Sequence, residues 1–352
     1  MKIPLFSLPL WNRRDTIFLL ERLELYLVSG LRIDHAFTVM SERMSPKKKQ
    51  SLEAVRQVLE RGGSLSTGLG EHVRLPGTIV ALIGHGELSG ELISALKTAR
   101  LIMERESELI KTCLSAMAYP FIIALFAGLL TLGLLRGVMP QIIPMLKSLN
   151  VALPLLTRVV IVISDGLLSY GLYILGMIFM GPLTLMWVYR RYEFLRSITH
   201  RLLIQIPIIG KVVLAYHLSL FFRSVGALVE TGVSIAVSYP RVCETITLIP
   251  LHRLFQGYVS EIQRGISLGA VLRHAYIPDY VPQLVVAGER SGTLGLSLGR
   301  VAALCDRDIE HALKRITALI EPVMMIGVGC MVGAIALSIM MPIYDISKVL
   351  QK

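Results

Sequence analysis

Charge is scarce in this sequence. Only 17% of its 352 residues are charged and 53% are hydrophobic, against about 25% and 45–50% in soluble domains. The imbalance points to several buried spans, not to one soluble core. Cysteine is scarce as well: Cys113, Cys243, Cys305 and Cys330 are scattered, with no C-x-x-C pair. That argues against a disulfide framework or a zinc site, and the four read as small buried hydrophobes. The motifs of catalysis are missing. The string nearest to a phosphate-binding loop, Gly210-Lys211-Val212, lacks the upstream glycine and the hydroxyl residue. His85-Gly86-Glu87 has the H-x-E of zinc deaminases, but no P-C-x-x-C follows. Neither H-E-x-x-H nor G-x-S-x-G occurs, and the eight histidines are dispersed. No catalytic residue, cofactor site or metal site is assigned, and the chain is not expected to be an enzyme.

Alternating strand patterns are also absent, so the expected class is all-α. The net charge of +11 would suggest nucleic acid in a soluble protein. Here the basic residues clump beside long apolar runs, where membrane topology places them. With no aromatic–basic interleaving and no Cys/His finger, nucleic-acid binding is not expected.

Three runs are long enough to cross a bilayer, which takes about 20 apolar residues. They are assigned to 116–139, 166–189 and 318–341. In so apolar a setting the backbone satisfies its polar groups only as helix. Residues 1–115 carry 16 Lys and Arg and residues 190–315 carry 15, whereas 140–165 carries only Lys147 and Arg158. Basic segments stay in the cytoplasm. The reading is therefore a cytoplasmic domain (1–115), a periplasmic loop (140–165), a second cytoplasmic domain (190–317) and a short periplasmic tail (342–352). Met1–Trp11, apolar but broken by Pro4 and Pro9, reads as a retained segment, not a signal peptide. The apolar stretch 202–229 could be a fourth span. Pro207, Lys211, His217, Arg223 and Glu230 interrupt it at helical spacing, which favours an amphipathic domain helix. Within the spans, Gly133 with Gly137, Gly171 with Gly176, and Gly329 with Gly333 form small-residue faces that suit close helix packing in lipid.

The chain repeats itself at a fixed offset. A shift of 202 residues superimposes Ser29-Gly30 on Thr231-Gly232, Leu75-Pro76 on Ile277-Pro278, and Tyr119-Pro120 on Glu321-Pro322. It also places Gly86-Glu87-Leu88-Ser89-Gly90 on Gly288-Glu289-Arg290-Ser291-Gly292. At a shift of 203, Arg61-Gly62-Gly63-Ser64-Leu65 meets Arg264-Gly265-Ile266-Ser267-Leu268. The unit is thus a helical-bundle domain plus a span, used twice, with the second span as connector.

Local signals fill in each bundle. Ser45-Pro46 is a helix start and Gly62-Gly63 a stop. From Ser89, the spacing Leu92, Leu96, Ala99, Met103 lays an apolar stripe on a helix. The opposite face, with Lys97, Arg100, Glu104, Glu108 and Lys111, is expected to be solvated. In the twin G-E-x-S-G elements, Ser89 and Ser291 can cap the helix that follows, and the carboxylates of Glu87 and Glu289 suit its positive end. Gly86, Gly90, Gly288 and Gly292 permit a tight turn or close packing. Two roles stay open for these elements: a turn of fixed geometry or a contact with a partner.

The duplicated unit, with Ser29-Gly30 through Phe37, Gly62-Gly63-Ser64-Leu65-Ser66, the twin G-E-x-S-G and Ile206-Pro207-Ile208-Ile209-Gly210-Lys211 before Phe221-Phe222-Arg223, resembles the inner-membrane platform proteins of type IV pilus and type II secretion machines (the PilC/GspF type). The likeness covers nearly the whole chain and looks most like a compact pilus-type member. It implies a multi-pass protein of the bacterial inner membrane that forms homo-oligomers in the lipid bilayer. It further implies docking of a cytoplasmic hexameric assembly ATPase, contact with other inner-membrane assembly proteins, and movement of pilin or pseudopilin subunits into a growing fibre. The second copy departs from the first at Gly269 for Ser66 and Arg290 for Leu88, so the two domains are expected to meet different partners. A transporter built from repeats, or a membrane-bound signalling scaffold, is the competing reading.

Overall fold

A computed structural model of the chain describes residues 11–42, 44–137, 181 and 193–350. The second expected span, with Gly171 and Gly176, the loop 140–165 and residues 1–10 lie outside the described residues. Among those described there are thirteen helices and no strand.

The helices fall into two matching series. The first comprises α1 (Arg13–Val28), α2 (Ile33–Ser41), α3 (Pro46–Glu60), α4 (Leu65–His72), α5 (Gly77–Ser89) and α6 (Leu92–Gly137). After α7 (Glu193–Gln205) come α8 (Ile209–Glu230), α9 (Ile235–Cys243), α10 (Ile249–Gln263), α11 (Leu268–Val271), α12 (Tyr280–Ser291) and α13 (Leu294–Leu350). Each helix from α8 onward occupies the repeat position of one from α1 onward. The turns repeat too. Every described glycine with positive φ belongs to a repeat pair: Gly30 with Gly232, Gly62 with Gly265, and Gly90 with Gly292. At the end of α3, Gly62 N–H bonds Leu59 O at 2.9 Å and Gly63 N–H bonds Val58 O at 2.9 Å. At the end of α10, Gly265 bonds Ile262 O and Ile266 bonds Glu261 O in the same way. This is the helix-ending pattern in which a left-handed residue folds the chain back over the last turn.

The described parts of Met1–Thr112 and Thr199–Ala312 form one compact unit, and those of Cys113–Ile198 and Leu313–Lys352 form a second. In the first unit the N-terminal bundle buries Leu19, Leu20 and Leu23 of α1, Phe37 of α2, and Leu52 and Val55 of α3. The second bundle is built on aromatic rings. Phe221 lies 4.4 Å from Phe255 between ring centroids and meets Tyr239 edge-on at 5.2 Å, a favourable geometry for ring quadrupoles. The apolar stripe foreseen from Leu92 onward buries Leu96, Ala99 and Met103. Its charged face is only partly solvated. Arg100 donates from Nε to Glu24 of α1 at 2.8 Å and from Nη1 to Glu104 at 2.8 Å, so these charges clamp α6 to α1.

Three described helices are long and apolar enough to cross a membrane: Leu92–Leu130, Ile209–Glu230 and Leu294–Ala334. They differ in what surrounds them. In α8, 56% of the apolar window is buried within the protein, against 6% in α6 and 0% in α13. The 202–229 stretch is therefore divided: Gln205 ends α7 ahead of Pro207, and α8 buries Leu218, Phe222 and Val225 in the second bundle. The far halves of α6 and α13 instead expose apolar side chains all round, among them Phe121, Leu125 and Phe126, and Val323, Met325 and Ile326. A helix apolar on every side belongs in lipid or in a larger core.

Candidate functional site

The twin G-E-x-S-G elements stand at the sharp corner between a bundle helix and the long helix after it. Gly90 and Gly292 have φ of +78° and +71°, a left-handed conformation that is strained for other residues. One turn earlier, a Cβ added to Gly86 would overlap the Ala95 methyl group, and one added to Gly288 would overlap Ser297. The glycines thus reverse the chain and let α5 and α12 lie directly on the first turns of α6 and α13.

The glutamates face the other way. The Glu87 carboxylate accepts hydrogen bonds from the Leu65 N–H at 2.6 Å, the Ser66 N–H at 3.3 Å and the Ser66 hydroxyl at 3.3 Å. These N–H groups open α4, where the helix dipole favours a negative charge. Ser64 supplies the local cap by accepting from Thr67 N at 3.1 Å. Glu289 repeats the arrangement on α11, accepting from Leu268 N at 2.6 Å and from the Ser267 hydroxyl. Each carboxylate therefore caps a helix that precedes it by some twenty residues, whereas the sequence suggested the helix that follows. Ser89 and Ser291 are the last residues of α5 and α12. Ser291 turns its hydroxyl back to the Ala287 carbonyl at 2.9 Å.

Ser66 and Gly269, a difference between the copies visible in the sequence, have a packing explanation. At the α4–α5 contact, Ser66 lies against Gly84, where an added Cβ would come within 3.1 Å of Ser66 Oγ. At the α11–α12 contact, Gly269 lies against Val286, and an added Cβ would meet the Val286 N at 3.0 Å. The space taken by a serine on one helix in the first copy is taken by a valine on the other helix in the second. Sequence reading missed this pair, although Gly84 and Val286 stand in register at the 202 shift.

Beside Glu87, within the compact unit of Met1–Thr112 and Thr199–Ala312, α5 of the first bundle faces α8 and α9 of the second. A cleft of about 810 Å³ opens there, lined by residues including Glu87, Leu88, Val237, Arg241, Glu244 and Thr245. His85 bridges it, donating from Nε2 to the Thr231 carbonyl at 2.7 Å. Leu88 is 90% exposed, and its repeat counterpart Arg290 is exposed as well. No group of three His, Cys, Asp or Glu side chains suited to a metal occurs among the described residues. At Gly133, Gly137, Gly329 and Gly333 an added Cβ would meet no neighbour within 4 Å among the described residues.

A protein-family model described as "Type II secretion system (T2SS), protein F" matches the chain twice, over residues 19–140 and 221–342. The chain belongs to this family. The two matches start and end at the offset found by self-comparison, so the family unit is one bundle with its long helix. Among curated relatives, a type IV pilus assembly protein PilC of Thermus thermophilus is 30% identical over 339 residues, covering 95% of this chain and 82% of that protein. A type II secretion system protein F of Pseudomonas aeruginosa is 26% identical over 345 residues, 96% of this chain and 84% of its own length. A type II secretion system protein F of Vibrio cholerae is 23% identical over 341 residues, with 96% and 84% covered.

Proposed function

We propose that this family member is an inner-membrane platform of a type IV pilus or type II secretion system. It holds a cytoplasmic hexameric assembly ATPase on its helical domains and helps pilin or pseudopilin subunits pass from the bilayer into a growing fibre. The observation that carries the reading is the double family match, together with relatives named for pilus assembly and for secretion that match over 82% and 84% of their length. Composition supports it. The basic residues concentrate in 1–115 and 190–317, and the positive-inside rule then puts both bundles on the cytoplasmic side. The spans 116–139, 166–189 and 318–341 are nearly free of charge, which suits a scaffold better than a carrier with a polar pathway. The glycine faces at Gly133, Gly137, Gly329 and Gly333 are candidate seats for a neighbouring transmembrane helix. Other inner-membrane assembly proteins and further copies of the chain complete the expected partners. In the twin corner motifs, Glu87 and Glu289 hold the fold, and the exposed positions Leu88 and Arg290 are the ones free to meet partners.

Deleting the chain in its host and imaging the cell surface tests this directly. Loss of fibres or of secreted substrate, restored by the intact chain, is the expected result. Normal piliation and secretion in its absence would overturn the reading. Affinity capture of the full-length protein from solubilised membranes is expected to bring down the assembly ATPase.

A further inference from the structure

The two bundles of the compact unit meet through different faces. The first bundle presents α5, with His85 bonded to the Thr231 carbonyl and Gly77 beside Thr245. The second presents the end of α8 and the outer side of α9, with Thr231, Arg241 and Glu244 around the cleft. Such a junction is heterologous: one face of the first body meets another face of the second. Because the bundles are copies, each also carries the face that the other uses. The α5 face recurs on α12, with Asp279, Ala287 and Arg290 at the positions of Gly77, His85 and Leu88, and all three are exposed. The α8–α9 face recurs on α1 and α2, with Ser29 and Glu42 at the positions of Thr231 and Glu244, and both are exposed. One face of each kind is used within the chain, and one of each kind is left over.

We propose that the leftover pair joins one copy of this chain to the next, with the α12 face of one copy seated on the α1–α2 face of another. The occupant is a second copy because the chain carries both kinds of face; with Ala287 in place of His85 and Asp279 in place of Gly77, charge and not an imidazole anchor holds this junction. The charges agree. Leu88 and Glu244 both line the internal cleft, and at their repeat positions the junction between copies brings together Arg290 and Glu42. Neither of these two has an ion-pair partner among the described residues. Opposite charges at matched positions fix partner and register, and like charges there are strongly unfavourable. Head-to-tail contacts of this kind build a ring when the rotation closes. The inference gives the platform reading a specific way to gather copies and rests on it for its setting.

The test uses the full-length protein in isolated membranes, with Cys113→Ser and Cys330→Ser as background. Two differently tagged copies, one with Glu42→Cys and one with Arg290→Cys, are co-expressed and oxidised. A disulfide-linked species bearing both tags is expected. Separately, Glu42→Arg and Arg290→Glu are each expected to lower the oligomer fraction about tenfold, and the double reversal to restore it. A mixed-tag species that never forms, links only between identical positions, or reversals that leave the oligomer intact would each overturn the proposal. The platform reading is judged apart from this, by fibres and secretion in the deletion strain. Intact oligomers in the reversal variants, with fibres still lost on deletion, would sink this junction and spare that reading.

Discussion

A carboxylate that accepts two backbone N–H groups at a helix end is placed by those donors, and it stabilises them in return. Glu87 does this for α4, and Glu289 caps α11 with one backbone N–H and the Ser267 hydroxyl. Hydrogen bonds to a charged acceptor contribute about 1.5–3 kcal/mol, so Glu87→Gln, which keeps the shape but loses the charge, should cost on the order of 1 kcal/mol and Glu87→Ala more. Thermal unfolding of the purified protein checks this. An unchanged midpoint alongside lost fibre assembly would instead mark Glu87 as a partner contact. A second residue gives a pH signature. Burial, helped by the neighbouring His200, pulls the His217 imidazole down to about 4, well below the ordinary 6.5 or so of a histidine. Between those values the unfolded chain binds a proton that the folded chain refuses, so stability rises with pH through that window. Acidification from about pH 6.5 to 4 should therefore remove stability on the order of 2 kcal/mol, and His217→Gln should flatten the dependence. A slope that persists in the variant would assign it to other groups.

At the scale of elements, the helix ends were the most legible part of the sequence. Ser45-Pro46 does open α3, and Gly62 and Gly265 do close α3 and α10, because those residues act through their own backbone geometry. What a side chain does across the bundle was not legible. Glu87 looked like a cap for the next helix since sequence proximity was the only guide, yet it reaches back to α4. Arg100 and Glu104 looked solvated because their spacing says which face they share and nothing of what covers it. The paired volumes at Ser66–Gly84 and Gly269–Val286 fall in the same category, and they make a test. Gly84→Val puts a branched side chain where Ser66 already sits, and overpacking of this kind costs about 1–3 kcal/mol. Adding Ser66→Gly recreates the arrangement of the second copy and should recover most of the loss. If the two losses simply add, as they do for independent sites, the α4–α5 contact is not the source of the exchange.

At the scale of the molecule, the repeat told which surfaces exist but not which of them meet. Two copies of one bundle can join through like faces or through unlike ones, and both choices leave the same pattern in the sequence. The contact of α5 with α8 and α9 decides it. His85 anchors that contact at the carbonyl end of α8, where a donor also meets the negative end of the helix. Next to it, Thr245 Cγ2 lies 3.9 Å from the place a Cβ would take on Gly77, so the two positions are neighbours across the junction. Gly77→Cys with Thr245→Cys, in the Cys113→Ser and Cys330→Ser background, should therefore close within a single chain. The product would run as a monomer of altered mobility on a non-reducing gel and revert on reduction. His85→Ala should slow its formation several-fold by freeing the end of α8. Disulfide-linked dimers in place of the altered monomer would mean that the unlike faces meet between chains, not within one. That outcome would exchange the internal junction for the external one, since both are built from the same two kinds of face.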